Sequence, residues 1–135
     1  LGFPGESAAE WAQTLAFVEE IGFGHLHIFT FSPRPGTKAA ALPDQVDAQT
    51  KRARSWQLHR LARDMKRANL ERYLGRAFPV LIEDQDQDGR WSGYTPNFLR
   101  ASIPETTESG LGNQICSVSL EAVDAAGETL RGRLS

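Results

Sequence analysis

Two glycine- and proline-rich motifs, Gly2-Phe3-Pro4-Gly5-Glu6 and Phe31-Ser32-Pro33-Arg34-Pro35-Gly36-Thr37, narrow the fold of this chain more than any other feature. A Gly-Pro-Gly turn that opens a capped helix, then a Pro-Gly loop holding one arginine after an apolar strand, is how a β/α barrel builds ligand-facing loops. Between the motifs, Ser7 and Glu10 have capping-box spacing, and Ala8, Trp11, Leu15 and Val18 recur at helical intervals as far as Gly22. That pattern predicts a helix over residues 8–21. Residues 25–31, His-Leu-His-Ile-Phe-Thr-Phe, are short, aromatic and β-branched, with Gly24 before them and Pro33 after. They predict a buried parallel strand, which completes half of a βαβ repeat.

A whole β/α barrel takes about 250 residues, so a chain of 135 reads as part of one joined to a small module. Leu1 in place of Met, and the strand-end character of Gly2 to Glu6, predict a truncated chain. Pro33, Pro35, Gly36 and Pro43 hold residues 32–46 as a loop with one short helical turn over 38–42. No Gly or Pro falls between Asp47 and Leu74, where Trp56, Leu58, Leu61, Met65, Ala68 and Tyr73 keep a helical stripe, and Gly75 ends the segment. Past it, residues 78–82, 91–94, 98–103, 115–122 and 128–134 are short strand candidates separated by turn signals. Such spacing predicts a small barrel. The expected fold class is an α/β fragment followed by a small all-β barrel: β/α elements in 1–46, a connecting helix in 47–74 and the barrel in 75–135.

Charge is distributed unevenly behind a formal net of -2. Residues 1–47 carry two basic and six acidic side chains, residues 48–74 eight and two, residues 75–135 five and nine. Only the middle segment attracts nucleic acid, because phosphate binding depends on clustered Lys and Arg releasing counterions. Arg52, Trp56, His59, Arg63, Lys66 and Arg67 fall near one another on its helical surface, as a phosphate-facing stripe or a solvated face. The acidic barrel argues against strong nonspecific RNA affinity of its own. There Trp91, Tyr94 and Phe98 could stack unpaired bases, but barrel aromatics more often fill the core, which should take two of the three. Tyr94, Asn97 and Arg100 are the better contact candidates.

The glycines of Gly2 to Glu6 let backbone amides at a helix start face a ligand, or merely connect strand to helix. Arg34, held between two prolines, suits a carboxylate or phosphate, or else pairs with an acid at the surface, while Ser32 and Thr37 add hydroxyls or simply cap the loop. His25 and His27 lack a third ligand and are rejected as a metal site. Asp84 to Gly89 mimics half a calcium loop, but the twelfth position is Thr95, so an acidic hairpin with Asp88-Gly89 at its tip is expected. Cys116, the sole cysteine, excludes a disulfide framework, a structural zinc site or a cysteine-held cluster within this chain, and is expected to be a small buried apolar residue. No stretch approaches the roughly 18 apolar residues of a membrane span and no signal peptide is present, so a soluble, cytoplasmic protein is expected.

The glycine-proline turn at Gly2 to Glu6, the strand and loop from Leu26 to Ala39, the Asp44-Gln45-Val46 start and the basic helix resemble, in order and spacing, the radical-SAM methylthiotransferases that modify tRNA or a ribosomal protein. Residues 75–135 are similar to the TRAM module that closes those enzymes, a small β-barrel taken to bind RNA. The Gly93-Tyr94-Thr95-Pro96-Asn97-Phe98-Leu99 segment is similar to that of the branch acting on threonylcarbamoyladenosine beside the anticodon. The branches acting on isopentenyladenosine or on a ribosomal protein usually differ there.

The resemblance implies the last β/α elements of a radical-SAM partial TIM barrel followed by a TRAM barrel. It implies replacement of an adenine C2 hydrogen by a methylthio group, using S-adenosylmethionine and two 4Fe-4S clusters. Cofactor-facing residues would be Gly2, Pro4, Gly5, Glu6, Ser32 and Arg34; RNA-facing residues would be Arg52, Arg63, Lys66, Arg67, Tyr94, Asn97 and Arg100. The three-cysteine radical-SAM signature and the N-terminal methylthiotransferase domain are absent, so the fragment is expected to be inactive alone and to bind neither cofactor nor cluster. Phe29-Thr30-Phe31 also differs from the Phe-Pro-Tyr usual before the Ser-x-Arg loop. Expected partners are a tRNA anticodon stem-loop, the N-terminal part of the same enzyme, and a second copy of the chain through the orphaned strand at 25–31. A free-standing RNA-binding module is the competing class, and a fragment of a ribosomal-protein methylthiotransferase, whose barrel would grip a protein, or of an isopentenyladenosine methylthiotransferase is the competing branch.

Overall fold

The structure, a computed structural model, describes residues 1–104 and 110–135 and divides into two compact units, Leu1–Met65 and Lys66–Ser135. The long basic helix crosses that division.

In the first unit, helix α1 spans Ala8–Ile21. The Ser7 hydroxyl accepts the Glu10 N–H and the Glu10 carboxylate accepts the Ser7 N–H, which completes the capping box, and Gly22 closes the helix in the left-handed conformation at φ 66°. A 3-10 turn follows over Lys38–Ala41, capped by Thr37. Helix α2, Ala48–Glu71, starts on Asp47, whose carboxylate accepts the N–H groups of Gln49 and Thr50 and the Thr50 hydroxyl. These hydrogen bonds, the Thr50 hydroxyl foremost, hold the Asp47 carboxyl below its usual pKa, and the Ser7 backbone does the same for Glu10. The folded carboxylates therefore bind a proton less readily than the unfolded ones. Their support for both helix starts is complete above the ordinary carboxylate range, about pH 4, and is lost as pH falls through the lowered values. Replacing Asp47 by Ala should reduce helicity at pH 7 and leave it unchanged near pH 2, a contrast that circular dichroism would read; equal losses at both would refute the cap.

Residues 25–31 depart from expectation. They are extended but join no ladder, His25, His27 and Phe29 are exposed, and Leu26 and Ile28 are only half-buried. Among the described residues Leu1 is the sole backbone partner, donating its N–H to Phe29 O and accepting the Phe31 N–H, which is the hydrogen-bond pattern of a single parallel pairing with Thr30. The sequence pattern of a buried strand is present, but the described residues cover it only in part, with the Phe3 ring edge to face on Phe31 at 5.2 Å. Phe3, Phe17, Ile21, Phe23 and Leu42 are likewise exposed, and Trp11 is the one large apolar side chain described as buried in this unit.

The second unit begins with the last turns of α2 and continues as a closed barrel of β1 (Ala77–Gln85), β2 (Trp91–Tyr94), β3 (Arg100–Ile103), β4 (Ile115–Val123) and β5 (Leu130–Leu134). The order around the barrel is β1-β2-β3-β5-β4, antiparallel throughout except for β3 with β5. This is a small Greek-key barrel of the OB type. Val80, Ile82, Ala101, Ile103, Val118, Leu120 and Leu130 alternate inward to fill it, with Leu70 of α2 packed among them. Two glycines permit the closure. Gly93 lies opposite Ile82 and Gly132 opposite Leu120, each beside a register shift in the partner strand. A Cβ there would meet Leu81 O at 1.9 Å or Ser119 O at 2.4 Å. A bulge facing a bare backbone lets β1 and β4 coil tightly enough to close five strands.

Candidate nucleic-acid interface

The Gly2–Glu6 loop is tied inward. The Glu6 carboxylate accepts the Gly2 N–H and pairs with Arg54, whose guanidinium also donates to Glu6 O at 3.0 Å and lies over the Trp11 ring. The Gly5 N–H goes to Asp44 O and the Glu6 N–H to Phe3 O. The amides of Gly2, Gly5 and Glu6 are thus satisfied within the unit, and Pro4 is buried. Ser32 and Arg34 are exposed on the second loop, where Arg34 O accepts both the N–H and the hydroxyl of Thr37. This geometry leaves two polar side chains exposed and keeps the loop amides engaged. Among the described residues no three His, Cys, Asp or Glu side chains converge. With one cysteine in the chain, its donor set does not fit an iron-sulfur cluster. The rings of His25 and His27 lie edge to face at 4.8 Å.

The basic face of α2 divides in two. Arg52 and Arg63 line an open groove of about 560 Å3 together with Thr30, Ala48, Lys51, Ser55, Trp56 and His59. Lys66 instead pairs with Glu128, and Arg67 with Glu71 at 3.1 Å, so these two cations are already engaged in the barrel unit. The helical stripe located the first pair by spacing alone. Glu128 lies too far along the chain from Lys66 for any local pattern to reveal that ion pair.

On the barrel, the Thr95 hydroxyl donates to Asn97 Oδ1 at 2.7 Å and accepts the Leu99 N–H at 3.0 Å, which closes the β2–β3 hairpin. Asn97 and the buried Thr95 serve the turn, and the aromatic residues beside them are displayed. Phe98 is 86% exposed and sits at φ 61°, a left-handed conformation that costs a non-glycine residue about 1 kcal/mol. Tyr94 is 38% exposed with the Arg100 guanidinium 6.0 Å from its ring. Trp91 faces the core, where its indole N–H has no partner among the described residues. Of the three barrel aromatics the core therefore takes one, not the expected two, because strand alternation sends Trp91 inward and Tyr94 outward while Phe98 belongs to the turn. Cys116 is half-buried against the core rather than enclosed. The acidic hairpin forms as expected, with Asp86 accepting the N–H groups of Asp88 and Arg90.

The registers place Ile115, Leu81, Tyr94 and Arg100 side by side across four strands of the outer surface. A second row runs Asp84, Ser92, Ser102 and Arg131. Arg100, Arg131 and Arg133 project from β3 and β5, Arg133 paired with Glu121 of β4 at 2.8 Å, whereas most of the other described acids sit in the turns and near the strand ends. A net acidic barrel thus carries an arginine-bearing face. Pattern-based reading missed Ser92, Ser102 and Arg131 because only the parallel β3–β5 pairing brings them together.

The described residues thus comprise a capped helix between two Gly-Pro loops, a long basic helix and an OB-type barrel. The chain matches no protein-family model. It is 47% identical over 83 residues to the ribosomal protein uS12 methylthiotransferase RimO of Syntrophobacter fumaroxidans, 62% of this chain and 19% of that protein. It is 42% identical over 92 residues to the RimO of a Roseiflexus species, 67% of this chain and 20% of that protein. With the tRNA-2-methylthio-N(6)-dimethylallyladenosine synthase of Trichlorobacter lovleyi it shares 43% identity over 83 residues, 62% of this chain and 19% of the enzyme. The chain spans about a fifth of the length of these curated relatives. Over the matched residues its relatives are methylthiotransferases, named for a ribosomal protein in one group and for tRNA in the other. No described helix is long and apolar enough to cross a membrane.

Proposed function

We propose that this chain is the substrate-holding end of a tRNA methylthiotransferase of the threonylcarbamoyladenosine branch. Its barrel and basic helix grip the anticodon arm. Residues outside the chain supply the clusters and the radical chemistry, and Ser32 and Arg34 contribute at most polar contacts to S-adenosylmethionine. One observation carries the RNA assignment: the hairpin holds Phe98 almost wholly in solvent on a strained backbone, next to Tyr94 and Arg100. Displaying apolar rings at a cost in stability suits stacking on unpaired bases, and an adjacent arginine suits phosphate. The uncovered apolar side chains of the first unit support its belonging to a larger β/α body.

Replacing Phe98 by Gly separates function from stability. The variant should be as stable as the parent or more so, by up to about 1 kcal/mol as the left-handed strain is relieved. It should also bind an anticodon stem-loop RNA at least fivefold more weakly in fluorescence anisotropy, the lower end of the effect of removing one base stack. Undiminished binding would remove the stacking role. The relatives named for uS12, together with the apolar run of Ile115, Leu81 and Tyr94, favour a second reading in which the barrel grips a ribosomal protein.

A further inference from the structure

The groove on α2 has a composition that the barrel face lacks. Arg52, Trp56, His59 and Arg63 succeed one another at intervals of four, three and four residues, so they form one stripe along the helix. No acidic residue lines the groove. Trp56 is 60% exposed, a large apolar cost for a solvated helix face, and the Arg60 guanidinium lies 5.2 Å from its ring. His59 directs Nδ1 to Ser55 O at 2.8 Å, which leaves Nε2 as its second polar atom, and Ser55 and Thr30 add hydroxyls. Arg52 and Arg63 enter no ion pair among the described residues. A solvated helix face of the ordinary kind interleaves acids with its bases and keeps tryptophan out of water.

From these features we infer that the groove binds a phosphate–base step of single-stranded RNA, with the base stacked on Trp56 and the phosphates held between Arg52 and Arg63. The inference rests on the RNA-directed reading above and deepens it, because it assigns to the basic helix a defined groove and to named side chains the base and the phosphates they would hold. Three properties select this occupant. The cations call for an anion, the exposed indole calls for a flat partner, and about 560 Å3 lies within the range of small-ligand sites, enough for one or two nucleotides. An acidic peptide would satisfy the arginines and leave the indole without a matching ring.

The test uses the whole chain and a fluorescein-labelled anticodon stem-loop RNA, titrated at several salt concentrations. Trp56→Ala should weaken binding about tenfold, and Trp56→Phe should retain most of it, since a ring remains to stack. The double variant Arg52→Gln with Arg63→Gln should reduce the slope of log affinity against log salt by about two, one for each phosphate no longer neutralised. All three side chains are exposed, so circular dichroism should show unchanged folding. If these variants bind as the parent does while Phe98→Gly weakens binding, the groove inference is overturned and the RNA-directed reading stands. If the folded parent binds no RNA, both fall. If adenosine monophosphate competes as strongly as the stem-loop, the site is one for a free nucleotide and the inference is again overturned.

Discussion

Replacing Gly93 by Ala should destabilise the barrel by about 3 kcal/mol or more, a large effect for the addition of one methyl group. The added Cβ would lie 1.9 Å from Leu81 O and 2.9 Å from Ile82 Cα, both backbone atoms of the strand to which Gly93 is hydrogen-bonded. A flexible side chain could turn aside, but the backbone of a strand at a bulge can move only by breaking its ladder. Gly22→Ala supplies the contrast, because a Cβ there meets nothing within 4 Å and only the left-handed φ of 66° is penalised, at about 1 kcal/mol. Urea denaturation, with hydrogen exchange read on the barrel amides for Gly93→Ala and on the α1 amides for Gly22→Ala, would measure both. A Gly93→Ala loss no larger than that of Gly22→Ala would show that the bulge does not need a bare backbone.

Arg54→Ala should be the most damaging single change in the first unit. Arg54 is 7% exposed and joins three features at once: the Glu6 carboxylate, the Glu6 carbonyl and the face of Trp11. Truncation leaves a half-buried carboxylate without its partner, and removal of one member of a buried pair costs roughly 3–5 kcal/mol. The Glu6 side chain is 17% exposed, so water repays part of the loss and about 2–3 kcal/mol is expected. Glu6→Gln combined with Arg54→Met should cost less than the two single changes added together, since no charge is then stranded. Exchange rates of the Gly2–Ser7 amides, with Trp11 fluorescence, would report the loop coming loose; unaltered rates in Arg54→Ala would show that the pair does not hold it.

Local chemistry made much of this fold readable in advance. Ser7, Glu10 and Gly22 specified both ends of α1 because caps are satisfied by residues adjacent in sequence. Strand β2 fell on the expected residues 91–94 because alternation and turn signals are local as well. What failed was whatever depends on a distant partner. The pattern of residues 25–31 is that of a buried strand, but burial needs neighbours that the described residues do not provide. Lys66 shares the helical stripe of Arg52 and Arg63, and only the fold reveals its pairing with Glu128, 62 residues away. Net charge does not report distribution in the barrel either, because Asp86, Asp88, Asp124 and Glu128 lie outside the strands while Arg100 and Arg131 project from them and Arg133 pairs with Glu121. The Gly93–Leu99 segment was legible as a motif, but only the structure separates its turn-closing Thr95 and Asn97 from its displayed Tyr94 and Phe98.

The RNA-directed account is tested most directly by mass spectrometry of tRNA nucleosides from cells in which the gene encoding this chain has been deleted. Loss of the methylthio group from threonylcarbamoyladenosine, with restoration by the intact gene and reduced restoration by the Phe98→Gly form, is the predicted result. Fully methylthiolated tRNA in the deletion strain, together with loss of methylthiolation on a ribosomal protein, would contradict it.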